Sequence, residues 1–261
     1  MEIWNRRNYI KEIKFLKKII SDNNILGDFS GLDIIIEAIE TNDKDLVDYR
    51  LNNFSIYLKG SIAGAKPNNL HFCKIELENR FALKDNLNET IDPLFVYSLD
   101  LKISLYKSEQ NQSKEYCCTW HLDKEEKELD FSYIHPYYHI QFAGKKHEYL
   151  DPEMAILSSP RIPHPPMDVI LAFHFIINNF IDRKVHDYVD KINSNPLYIR
   201  ILNNSRKRLW EPYFNGFSQT YNHSDYKLNK LFPLYTNPCS TFRIVFLSPS
   251  KSQHLEQGFP C

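Results

Sequence analysis

The chain has 261 residues, with 32 Lys and Arg against 33 Asp and Glu, 43% hydrophobic residues and 14% aromatic ones, the balance of a folded globular protein. A formal net charge of −1 excludes the broad cationic surface of a domain that grips nucleic acid by its backbone alone, and leaves room only for local basic patches. With 7 glycines and no GxGxxG, GxxxxGKS/T or GxSxG, the common glycine-dependent phosphate cradles and nucleophile elbows are excluded as well.

Residues 5–22 place Ile10, Ile13, Leu16 and Ile20 at helical spacing, with Arg7, Lys11, Lys14 and Lys18 on another face, and predict an amphipathic helix. A second helix is predicted over 30–40, with Ser30 as its cap, and a short third over 43–52. From residue 54 the texture changes to period-2 runs over 54–63, 70–81, 94–106, 115–123 and 137–143. The polar stretches between them suit exposed turns, so the pattern predicts a five-stranded antiparallel meander.

A proline-rich crossing, 158–166, leads to an apolar helix from Met167 to Phe180, with Pro165 and Pro166 at its entrance. His174, Asn178 and Asp182 form one polar stripe along it, which suits a satisfied core network. Residues 196–214 predict a further helix that carries Arg206, Lys207 and Arg208 beside Trp210, and 241–247 a last strand. The basic runs fit solvated helix faces, or patches that meet nucleic acid or an acidic partner. The expected class is α+β: N-terminal helices (1–53), the meander (54–144) and C-terminal helices packed on it (167–214), in one domain over 1–247 with a loose tail over 248–261.

The five cysteines, Cys73, Cys117, Cys118, Cys239 and Cys261, have no CxxC spacing and form neither a zinc framework nor an evident disulfide set, which points to a reducing cytoplasm. Residues 1–20 mix charges into the apolar positions, and no uncharged apolar run reaches the roughly 20 residues of a membrane span. Neither a secretion signal, a transmembrane helix nor a membrane partner is expected. The abundance of Asn, Lys, Ile and Tyr fits an AT-rich bacterial genome.

The segment richest in chemistry is Cys117-Cys118-Thr119-Trp120-His121-Leu122-Asp123, followed by Tyr137-Tyr138-His139-Ile140-Gln141. Alternation puts Thr119, His121 and Asp123 on one face and His139 and Gln141 on one face of the next strand. Paired as a hairpin, the two strands would bring both imidazoles to one side of the sheet. Two histidines can divide acid and base roles near neutral pH, which suits phosphodiester cleavage. In that reading His121 and His139 are catalytic, Arg161 stabilises the developing charge, His164 is the reserve acid or base, and Thr119 and Gln141 contact substrate. The loop from Arg161 to Asp168 would roof the site, and no cofactor is required. A metal-dependent version instead uses His121, Asp123 and His139 as ligands of a divalent cation. The same face also fits a structural role, with its polar groups satisfied internally.

The block His135-Pro-x-x-His139-x-Gln141-x-x-Gly144, with Pro160-Arg161-x-Pro163-His164-Pro165-Pro166-Met167-Asp168 and Arg208-Leu209-Trp210-x-Pro212-Tyr213, resembles a group of uncharacterised bacterial proteins over residues 50–235. They are similar to single-domain products encoded near mobile-element and antiphage defence genes. The resemblance implies work with neighbouring gene products, as a defence effector, a toxin-like enzyme or an accessory subunit, and assigns no catalytic residue. Three functions are therefore expected to compete: a nuclease or other phosphodiesterase, a non-enzymatic adaptor that binds a partner protein, and a small-ligand sensor.

Overall fold

Side chains alternate between apolar and polar over most of residues 48–142, and in the computed structural model this stretch builds an antiparallel sheet. The structure describes residues 4–44, 46–60, 69–84, 92–107, 116–124, 137–142 and 162–219. Five long or medium strands are β2 (Asp48–Lys59), β3 (Phe72–Leu83), β4 (Leu94–Tyr106), β5 (Tyr116–Lys124) and β6 (Tyr138–Phe142). Two-residue strands β1 (Gly27–Asp28) and β7 (Ile162–Pro163) add one edge each, giving seven strands in chain order among the described residues where five were expected. The predicted strand over 241–247 and the tail lie outside the described residues.

Among the described residues five helices accompany the sheet: α1 (Arg6–Asp22), α2 (Gly31–Thr41), α3 (Val169–Asn179), α4 (Tyr188–Asn193) and α5 (Pro196–Gln219). The short helix predicted over 43–52 does not form, because Tyr49 and Leu51 are buried while Arg50 between them is exposed, the alternation of a strand. Ser30 makes no capping hydrogen bond through its side chain; its backbone N–H donates to Asp28 Oδ1 at 2.9 Å. Pro165 and Pro166 precede α3, whose cap is Asp168, accepting from Leu171 N at 3.0 Å.

The helices bury their apolar faces on one side of the sheet, in a core that includes Ile13 and Leu16 of α1, Ile35 and Ile39 of α2, Phe173 of α3 and Leu209 of α5. Strand residues of one parity meet them: Phe54, Ile56, Ile75, Leu77, Leu99, Leu101, Leu122 and Ile140. The opposite parity forms the second face of the sheet, and that face carries the ionisable residues described below.

A polar network runs through the core where α1, α3 and α5 converge. Arg208 donates to Glu12 Oε2 at 2.6 Å and stands 3.6 Å from Asp168 Oδ2, while Ser205 also donates to Asp168. The guanidinium lies against the rings of Trp4 and Tyr9. Tyr49 donates to Asn79 Oδ1 at 3.0 Å and accepts from Val169 N at 3.2 Å, which ties the sheet to the start of α3. Among the described residues, no helix is long and apolar enough to cross a membrane.

Candidate functional site

The register of β5 and β6 opposes His121 to Gln141 and Asp123 to His139. Directly opposed residues of an antiparallel pair project to the same side, so these four side chains and Thr119 share the face turned away from the helices. The two imidazoles are diagonal neighbours, with ring centroids 6.4 Å apart and planes at 81°. The same rows continue into the sheet as His121, Asp100, Glu78 and as Asp123, Ser98, Arg80.

His121 Nε2 lies 3.2 Å from Gln141 Oε1 and 3.6 Å from Asp123 Oδ2. The ligand-capable atoms of His121, Asp123 and His139 all fall within 4.8 Å of one another. Ligand atoms held at about 2.1 Å from one cation stand roughly 3–3.5 Å apart, so modest side-chain rotations close the set. Two imidazoles and one carboxylate are a donor combination suited to zinc, manganese or ferrous iron. His139 is only 2% exposed, and Thr119 and Gln141 are buried beside it. The side chains of His121 and Asp123 keep 19% and 40% of their exposure, so the cluster has a covered floor and an accessible rim.

Around His121 the face carries the carboxylates of Asp123, Asp100 and Glu78. Lys102, opposite Thr119, and Arg80, in the row of Asp123, place cations on the same face. Asp100 was not singled out in the sequence: it sits in an alternating run of β4, and only the β4–β5 register puts it opposite His121.

His164 does not join the cluster. Pro163 pairs with His139, so the next residue, His164, points to the helix side of the sheet. Its ring packs against Phe175 and Trp210, its Nδ1 meets the Pro165 carbonyl at 2.7 Å, and burial lowers its pKa. Residues 165–168 cannot roof the site either, because Met167 exchanges hydrogen bonds with Tyr97 Oη and Asp168 lies in the core network. Arg161, His135 and Gly144 lie outside the described residues.

Arg208, read with Arg206 and Lys207 as a surface patch, is 5% exposed and ion-paired. Consecutive helical residues point about 100° apart, so three adjacent cations do not share a face. His174 and Asn178 do form a satisfied network: His174 Nδ1 is 3.2 Å from Tyr198 Oη and 3.1 Å from Asn178 Nδ2. Cys118 faces the core, and burial pushes its thiol pKa up, the opposite of an activated nucleophile.

Comparisons with protein-family models, with curated proteins and with solved structures found no match to the chain.

Proposed function

We propose that the protein hydrolyses phosphodiester bonds of nucleic acid with the help of a divalent cation held by His121, Asp123 and His139. The convergence of their ligand atoms within 4.8 Å on one face of adjacent strands is the observation that carries this reading. A cation at this set would offset the Asp123 charge that stands 3.6 Å from His121 and would otherwise repel a substrate phosphate. Such a cation lowers the pKa of a bound water and polarises the phosphoryl oxygen. Gln141 Oε1 would accept from His121 Nε2–H and orient the ring, as hydrogen-bonded outer partners of metal-bound histidines do, which leaves Nδ1 for the cation. In the setting implied by the resemblance to defence-gene neighbours, the chain would act as a cytoplasmic effector.

The adaptor reading draws on one observation of its own. Ile162 and Phe142, at the end of the sheet beside the cluster, are 56% and 39% exposed, an apolar edge that suits a partner protein. In that reading the histidines stabilise the edge and a bound cation is structural.

Cleavage of labelled single-stranded RNA and DNA decides between them. The hydrolase reading expects cleavage that a chelator stops, that added manganese or zinc restores, and that folded His121→Ala and His139→Ala variants lack. A parent protein that binds the cation and cuts neither substrate would support the adaptor.

A further inference from the structure

About 700 Å³ of open cleft lies between the end of α2, the loop that follows it and the adjoining ends of β2, β3 and β4. Lys44, Arg80 and Lys84 line it together with Asp43, Asp48 and Phe95. From this cleft we infer a binding subsite for a nucleotide of single-stranded nucleic acid, its phosphates on the three cations and its base on the Phe95 ring. The inference deepens the hydrolase reading, on which it rests for the class of ligand.

The chemistry of the lining supports that ligand. Arg80 makes its hydrogen bonds through Nη1, to Asp48 and to the carbonyls of Tyr49 and Phe81. These contacts fix the guanidinium plane, and its Nε and Nη2 make none among the described residues. A fixed guanidinium edge suits phosphate oxygens. Lys84 stands 4.0 Å from Asp92, but that carboxylate is already engaged by Lys124 at 3.2 Å and by the hydroxyls of Tyr137 and Tyr138. Much of the Lys84 charge therefore remains available to the cleft. Phe95 is 62% exposed, and it is the extra residue of a register shift in which Ala82 pairs with Val96 and Leu83 with Leu94. An aromatic ring beside cations is what unpaired bases and their backbone need, since every base has a face that stacks.

Position connects this cleft to the cluster of His121, Asp123 and His139. Arg80, Ser98, Asp123 and His139 form one cross-strand row, so Arg80 lies two strands from Asp123, about 10 Å at ordinary strand spacing. A single strand lying along that row would present one phosphate to the cluster and another to the cleft. The near-zero net charge agrees with such a short footprint. Contact with about three phosphates corresponds to a log–log salt slope near −2 for single strands.

The test is fluorescence anisotropy with 5′-labelled ten-residue oligouridylate and oligothymidylate, in chelator so that nothing is cut, on the full chain. Lys44→Ala combined with Phe95→Ala is compared with the parent and with Lys18→Ala on α1, each shown by circular dichroism to melt as the parent does. The parent is expected to bind both oligonucleotides, the cleft variant about tenfold more weakly with a flatter salt slope, and Lys18→Ala, which removes an exposed cation of α1, within about threefold of the parent. Failure of the parent to bind either oligonucleotide at about 100 μM, or a cleft variant within twofold of the parent, would overturn the subsite. Binding lost in the cleft variant while the parent shows no metal-dependent cleavage would uphold the subsite and refute the hydrolase. Cleavage with unchanged binding by the cleft variant would do the reverse.

Discussion

Asp123 and His139 stand directly opposite each other across the β5–β6 ladder, a carboxylate and an imidazole on the same side of the sheet. A slip of one residue would send one of them to the helix side, so the candidate metal centre depends on this register. The register is held from the other face, where Leu122 pairs with Ile140 and both are buried in the core. Core packing on one side thus sets the ligand geometry on the other.

Gln141 is expected to tune the centre without being part of it. Its Oε1 is 3.2 Å from His121 Nε2, and loss of such an outer partner costs about 10–100-fold in metal affinity or activity. Gln141→Ala should therefore need a higher cation concentration for half-maximal cleavage and approach parental rates when the cation is in excess. A metal titration of cleavage rate reads this directly; an unchanged half-maximal concentration would remove Gln141 from the account.

The Arg208 network predicts a graded stability series. Arg208→Met leaves Glu12 and Asp168 buried without their cation, which costs about 3–5 kcal/mol. Asp168→Asn retains an acceptor for Leu171 N and should cost only about 1–2 kcal/mol. Urea unfolding monitored by circular dichroism measures both, and equal losses would contradict the assignment of the larger part to unpaired charge.

Gly31 begins α2 hard against the β2 bulge, where Asn53 has a left-handed φ of 56°. A Cβ on residue 31 would lie 2.0 Å from the Asn52 carbonyl oxygen. Alanine improves helix propensity by about 1 kcal/mol, but backbone overlap of this kind costs about 1–3 kcal/mol or more, so the clash wins. Gly31→Ala should lower Tm, which a thermal melt will show.

His174 gives the fold a pH dependence. Burial, assisted by the nearby Arg206 guanidinium, lowers its pKa to about 4, and Tyr198 and Asn178 hold the neutral ring. The unfolded chain, with an ordinary imidazole pKa near 6.5, takes up a proton that the folded chain refuses between those values. The stability associated with His174 is therefore full above about pH 6.5 and declines as pH falls toward 4. Thermal melts over this range should show a shallower decline for His174→Gln than for the parent; parallel curves would contradict the assignment.

The sequence displayed the five principal strands because alternation extends over 5–13 residues in each, and it displayed α1, α2, α3 and α5 through their apolar spacing. Strands of two residues carry no such period, which is why β1 and β7 were not legible, and the six residues of α4 are too few for a face to emerge. Alternation also placed His121, Asp123, His139 and Gln141 on one side. It did not supply the register, and therefore did not reveal Asp100 beside His121. His164 was misplaced for the same reason: only the pairing of Pro163 with His139 fixes its parity. The Phe95 cleft arises from a loop and a strand irregularity, features with no periodic signature.

Titration calorimetry with manganese and with zinc, on the parent, Asp123→Asn and His139→Ala, tests the central claim most directly. The account predicts one cation bound per chain by the parent, and at least tenfold weaker binding by each variant that still melts as a folded protein. Parent protein that binds neither cation, or folded variants that bind as the parent does, would contradict it.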